Sequence, residues 1–284
     1  MITRLFLVLP CVLSLVLCST FAYAGEVREG AEPAGVGLIG GIGLTHLTVY
    51  EQRPAPDGLN SGSPHVHAIT DEAYYVLSGT GKLELHDLEH GFRTVELKQG
   101  RYLQFPPCVL HRVISTGGLV ILAVMGNAGL AEKGDARIYF GKSVDENPAE
   151  FARLTGLAKA KGLEGALERR DAAVTAYQNL VKLWQTDRPA YFDELRRFTQ
   201  AHLTAMAKIR PRFADAVTRG PLHWGRRSEQ RLAALPRGED NLEGQFHDAG
   251  ADFAYGMCGI LRPVINLRPL SEVRALGTLG PSGE

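Results

Sequence analysis

Residues 64–79 read PHVHAITDEAYYVLSG, and the order of donors in this stretch decides the fold. His65 and His67 lie two apart, so on a strand both imidazoles point to the same face and can converge on one ion. Glu72 follows after a short turn, at the head of the next β-prone run. Further on, residues 100–111 read GRYLQFPPCVLH and end on His111. Three neutral nitrogen donors and one carboxylate oxygen suit Fe(II), Mn(II), Ni(II), Cu(II) or Zn(II) better than calcium. Tyr74 shares the face of Glu72 by the two-residue period. It reads equally as a proton donor or substrate contact and as a buried tyrosine that fills the interior. Tyr102 and Gln104 are further candidates to line the cavity, with the orientation of their strand left open.

Outward from this stretch, residues 37–126 alternate short β-prone runs with glycine and proline turns: LTHLTVY, EAYYVLSG, GKLELHD, FRTVELK, RYLQF, LHRVIS and LVILAVM. Several strands at this spacing predict a sandwich or jelly roll, with a hairpin pairing Leu83 to His86 and Thr94 to Leu97 across a turn near Gly91. After Asn147 the period becomes helical, opened by Asn147 as N-cap and Pro148 at the first helical position. One apolar stripe runs Leu163, Leu167, Val174, Tyr177, Leu180, Trp184. A second runs Phe192, Leu195, Phe198, His202, Met206, Ile209, with Pro189 at its start and Pro211 at its end. Phe246, Ala249, Phe253, Met257 and Ile260 predict a further glycine-rich helix. The expected organisation is a signal peptide over 1–24, a barrel over 37–140, a helical domain over 147–275 and a disordered tail over 276–284.

The motif residues resemble the cupin superfamily, whose first motif runs G-x5-H-x-H-x3-4-E-x6-G and whose second runs G-x5-P-x-G-x2-H-x3-N. His65, His67, Glu72 and Gly79 fall on the first motif, and Gly100, Pro106 and His111 on the second. Leu59, Cys108 and Ser115 depart from it, standing where the family has glycine, glycine and asparagine; none of these is a ligand position. The resemblance covers roughly residues 37–126 and implies a β jelly-roll barrel with one divalent transition metal ion, Fe, Mn, Ni, Cu or Zn, held by His65, His67, Glu72 and His111. It also implies a small-molecule ligand or substrate. Dioxygenase chemistry is the first expectation, with decarboxylation or isomerisation open on the same ligand set, because fold does not fix function. A second carboxylate in the cavity would favour decarboxylation and an apolar aromatic lining would favour oxygenation. A non-catalytic periplasmic binding protein for a metal or ligand is the alternative, and a scaffold whose helices bind a partner is the third. The helical half resembles no family; a lid over the barrel mouth and a homodimer interface are both open for it.

The chain has 284 residues with 31 Lys plus Arg against 31 Asp plus Glu. This balance steers it toward neither nucleic acid nor an anionic membrane. At the N-terminus Arg4 precedes LFLVLPCVLSLVLC, and Ala22-Tyr23-Ala24 gives a small-x-small cleavage pattern before Gly25. The run is broken by Pro10 and is short for a spanning helix, so the mature protein is expected without a membrane span and exported, periplasmic or secreted. Cys11 and Cys18 would leave with this segment. Cys108 and Cys258 then remain in an oxidising compartment, as a disulfide or as two buried thiols. His86 and His90 flank the hairpin turn and read as solvated, His46 as surface or support, and His202 as a satisfied core histidine. His223 in GPLHWG and His247 in GQFHDAG read as loop residues, and the arginines between 210 and 237 as a solvated surface.

Overall fold

The computed structural model describes residues 38–237, 244–248 and 253–272. The expected signal peptide, the far tail and Ala249 lie outside them. The β-prone half forms β1 (Gly43–Val49), β2 (Asn60–Ser61), β3 (His65–His67), β4 (Glu72–Asp87), β5 (Gly91–Lys98), β6 (Tyr102–Phe105), β7 (Leu110–Met125) and β8 (Ala136–Ile138). The helical half follows as α1 (Lys142–Asp145), α2 (Pro148–Thr186), α3 (Arg188–Ala207), α4 (Arg210–Arg219) and α5 (Pro221–Ala234). The chain closes with β9 (Gln245–Phe246), β10 (Ala254–Tyr255), β11 (Gly259–Pro263) and β12 (Arg268–Pro269).

Two pairs of expected strands are single long ones. EAYYVLSG and GKLELHD are one strand, β4, and LHRVIS with LVILAVM is another, β7; the two pair with each other along most of their length. Both bend at glycine. Gly79 has φ +75°, and a Cβ there would lie 2.2 Å from the carbonyl oxygen of Gly118, so only glycine lets the bent strands touch. Register shifts between Val76 and Gly81 change the parity of the inward face. Tyr74 and Val76 face the core before the bend, and Leu83 and Leu85 after it. With Leu47, Val49, Leu97, Phe105, Val113, Leu119 and Ile121 they fill an apolar interior. The expected hairpin has Leu83 opposite Val95 and His86 opposite Phe92.

The helices pack on the outside of this barrel. Asn147 caps α2 by accepting from the Glu150 amide at 3.1 Å, and Asp187 caps α3 by accepting from the Ala190 amide at 3.0 Å. Gly162, at φ +60°, breaks α2 into two segments. Val66 and Leu110, which alternate with the histidines on β3 and β7, point away from the interior and join Tyr177, Leu180, Tyr191, Leu195 and Phe198 in a second core. Each of these strands therefore serves two cores, one with its donors' face and one with its backs.

Four expectations are corrected here. Among the described residues, the glycine-rich helix predicted over Phe246 to Ile260 is replaced by the short strands β9, β10 and β11: β11 pairs with β1, Val49 opposite Gly259, and so joins the barrel sheet. Its three- and four-residue apolar spacing was compatible with a helix, but glycines and close backbone pairing decide for strand. Pro211 does not simply end a helix; it stands in the first turn of α4, and His223 lies on α5 rather than in a loop. His86 is fully buried, because α2 and α3 cover the outer face of β4. Its Nε2 sits 2.6 Å from Tyr177 Oη, which donates to Glu84 at 3.0 Å, and its Nδ1 sits 2.9 Å from Tyr191 Oη. A neutral ring meets this pattern by donating from Nε2 and accepting at Nδ1. His90 is exposed, as expected.

Burial holds His86 down to a pKa of about 3 and His202 to about 4. Both groups bind protons more readily unfolded, so they stabilise the fold above the ordinary histidine range, and this is lost as pH falls toward 3. Chemical unfolding should show stability falling between pH 7 and pH 4 by on the order of 3 kcal/mol for His86 alone. In His86→Gln, which keeps polar contact with both tyrosines, the slope should flatten; an unchanged slope would contradict a neutral buried His86.

Candidate metal centre

β3 and β7 run antiparallel with His65 directly opposite His111. β4 starts one turn later and brings Glu72 to the same end of the interior. One donor atom from each of His65, His67, Glu72 and His111 lies within 4.8 Å of all the others. His65 Nε2 is 3.1 Å from His111 Nε2, and Glu72 Oε2 is 3.1 Å from His111 Nε2 and 3.4 Å from His67 Nε2. All four residues are buried, none more than 5% exposed.

The far side of each ring is committed. His65 Nδ1 donates to the Ser63 carbonyl at 3.0 Å, His111 Nδ1 to the Val109 carbonyl at 3.0 Å, and His67 Nδ1 to Asp135 Oδ2 at 3.1 Å. A carbonyl or carboxylate accepts only, so each Nδ1 carries a hydrogen, and in its neutral form each ring turns the Nε2 lone pair inward. Asp135 is also fixed, accepting from the Ala68 and Ile69 amides at 3.0 and 2.8 Å. It was not legible as a partner: it lies 68 residues from His67, on the turn before β8, and nothing in its local sequence marks it.

The electrostatics follow from this arrangement. Burial, then the neighbouring imidazoles of His111 and His67, hold His65 well below the usual histidine range, so it is neutral. Burial also opposes charge on His67, but hydrogen bonds and charges from Asp135 and Glu72 outweigh it and raise its pKa to about 9. Burial disfavours ionised Glu72, yet His111 and His67 hold it well below the carboxylate range. Glu72 Oε2 is nonetheless left without a properly directed hydrogen bond. A buried charge left so costs several kcal/mol, and a cation among inward-facing lone pairs offsets that cost directly. The donor set therefore fits a divalent transition ion.

Tyr74 is buried two residues beyond Glu72 on the same face, its ring 6.5 Å from that of His111 and 5.6 Å from that of Phe105. Burial pushes its hydroxyl well above the usual tyrosine range, so it keeps its proton. Tyr102 and Gln104 do not line the cavity: both are exposed and bond to each other at 2.6 Å, while Leu103 and Phe105 between and beyond them face inward. Cys258 was not anticipated here. Its Sγ lies 3.6 Å from His65 Nε2 and 3.7 Å from Tyr74 Oη. Cys108 and Cys258 are both free thiols.

The departures from the motif have local reasons. Cys108 has φ +65°, the left-handed conformation for which glycine is the ordinary choice, while its amide donates to the His67 carbonyl at 2.8 Å. Ser115 bonds the Glu51 carboxylate and accepts from the Leu119 amide at 3.0 Å, tying the bend of β7. Leu59 is exposed outside the barrel. His202 is a core histidine, its Nε2 donating to the Asp135 carbonyl at 2.6 Å. His223 is exposed, and His247 is half-buried beside β9.

An antiparallel jelly roll with this donor cluster is consistent with a small-molecule barrel that has a possible metal site. Residues 52–125 match the family model of the cupin domain, and the chain carries a cupin domain followed by a helical region. No curated protein matches the chain. Similar solved structures include a 3,4-ketoisomerase from Thermoanaerobacterium thermosaccharolyticum in complex with TDP, at 20% identity and TM-score 0.25 over 29% of this chain and 56% of that one. A protein with a double-stranded β-helix domain from Klebsiella pneumoniae matches at 14% identity and TM-score 0.28, over 41% of this chain and 90% of its own. A cupin protein from Bacteroides fragilis matches at 25% identity and TM-score 0.20, over 30% and 62%. The matched part thus spans little more than half of the ketoisomerase. Among the described residues no helix is long and apolar enough to cross a membrane.

Asp135→Asn keeps an oxygen for the two amides but turns the tautomer of His67. It should weaken metal binding by about 10- to 100-fold with the fold intact. Competition against a chromophoric chelator measures this, and an unchanged affinity would remove Asp135 from the site.

Proposed function

We propose that this protein is an exported, metal-dependent cupin enzyme that acts on a small organic molecule with dioxygen as co-substrate. His65, His67, Glu72 and His111 would hold one divalent ion, Fe, Mn, Ni, Cu or Zn. The observation that carries the reading is the donor cluster at the end of an apolar interior: Phe105, Val109, Leu85 and Tyr74 belong to the core beside it. Among the described residues Glu72 is the carboxylate of the cluster, and Asp135 stands behind His67. Among the described residues the cluster offers no second carboxylate for decarboxylation, and an apolar surround that includes Tyr74 and Phe105 suits oxygenation. Export is supported by the sequence alone, through Arg4, the apolar run and the Ala22-Tyr23-Ala24 pattern.

When bound, the ion supplies a Lewis-acid or redox centre. The protein's own residues do the rest. Ser63, Asp135 and Val109 keep each Nε2 turned inward, Phe105 and its aliphatic neighbours keep bulk water out, and Tyr74 holds a proton at Oη for a substrate oxygen. A non-catalytic binding protein is the second reading, favoured by the near-complete burial of all four donors.

Oxygen uptake by the Fe(II)-loaded, purified mature protein, screened against small carboxylic acids, thiols and phenols, separates these readings. Tyr74→Phe should lower turnover by about 100-fold or more at unchanged metal content. A product formed without oxygen consumption would replace oxygenation by isomerisation or decarboxylation. Tightly held metal with no turnover of any kind would favour the binding protein.

A further inference from the structure

We propose that Cys258 is a fifth donor to the ion, a sulfur carried into the barrel by the C-terminal turn and held there by helix α2. The inference rests on the metal reading above and adds to it a ligand from outside the cupin motif.

The sulfur is aimed at the donor side of the cluster. Cys258 is 7% exposed, and its Sγ lies 3.6 Å from His65 Nε2, the atom left facing inward once Nδ1 is committed to the Ser63 carbonyl. With metal–nitrogen bonds of about 2.1 Å and metal–sulfur bonds of about 2.3 Å, a nitrogen and a sulfur sharing one ion sit roughly 3 to 4 Å apart. The spacing to His65 falls in that interval, while Cys258 Sγ is not one of the four donors that lie mutually within 4.8 Å, so sharing the ion requires the sulfur to move inward as the ion binds. Without an ion, an S–H donating to the His65 Nε2 lone pair accounts for this contact, and an ion would take the place of that proton.

The backbone around Cys258 is anchored on several sides. The Gly256 amide donates to the Gly259 carbonyl at 2.9 Å, closing a tight turn. The Gly256 carbonyl accepts from Tyr50 Oη at 2.9 Å and from Arg169 Nη2 at 2.6 Å, and the Tyr255 carbonyl accepts from the same guanidinium at 3.2 Å. Arg169 comes from α2 and is buried. The Ser63 amide donates to the Met257 carbonyl at 2.7 Å, so one residue both seats this turn and orients His65. Glycine is required on both sides of the approach: a Cβ at Gly62 would lie 2.5 Å from Cys258 Cα, and one at Gly259 would lie 2.1 Å from the Thr48 carbonyl oxygen. The helical half thus has a positioning task at the site, exercised by Arg169 through the turn.

On coordination the S–H bond breaks, the metal–sulfur bond forms, and the proton leaves to water. A thiolate in the set moves preference toward ions that accept sulfur, such as Zn(II), Cu and Fe, and away from Mn(II).

The test uses the full mature chain loaded with Co(II). Wild type should show an intense near-ultraviolet sulfur-to-cobalt charge-transfer band, and X-ray absorption at the cobalt edge should show a sulfur neighbour at about 2.3 Å. Cys258→Ser should lose the band while still binding cobalt at least tenfold more weakly, and Arg169→Met should weaken the band without touching a donor. Cobalt bound by wild type with a spectrum of nitrogen and oxygen donors alone would overturn the sulfur ligand and leave the four-residue site standing. No cobalt bound by wild type would overturn the metal reading and this inference together. The X-ray measurement reads the wild type itself, so a variant that fails to fold does not spoil the test.

Discussion

Two imidazole nitrogens 3.1 Å apart, lone pairs facing, with a carboxylate oxygen 3.1 Å from one of them, are stable inside an apolar barrel only if positive charge sits among them. The rest of the site follows from that constraint. Three acceptors, the Ser63 and Val109 carbonyls and Asp135, lock the rings with their lone pairs inward. Without a cation, His67 supplies the charge by keeping a proton between Asp135 and Glu72. A divalent ion would displace that proton and satisfy every inward donor at once.

The helical half is part of this same construction. β3 and β7 turn their histidines to one side and Val66 and Leu110 to the other, where α2 and α3 cover them. His86, Tyr177, Tyr191 and Glu84 form a buried polar seam between barrel and helices, and such seams fix one packing because any other leaves a polar group unpaired. Arg169 then carries the influence of α2 to the turn around Cys258. The buried face of α2 is thereby linked to the donor cluster through Arg169 and the turn without contacting it.

Much of this was legible in sequence where short-range rules apply. The two-residue period put His65 with His67 and Tyr74 with Glu72, and Asn147 as a cap and Pro189 in a first turn marked where the helices open. The motif spacing also singled out Cys108, whose positive φ explains why the family has glycine there. What escaped is long-range. Asp135 and Cys258 reach the site through pairing that no local pattern encodes, His86 is buried by helices about a hundred residues away, and the β11 segment was misread because apolar residues three and four apart fit either element.

The most direct measurement is the metal content of the purified protein beside a His65→Ala, His111→Ala double variant of matching circular dichroism. The account predicts roughly one transition-metal ion per chain in the wild type and loss of nearly all of it in the variant. Equal absence of metal from both after reconstitution would contradict it.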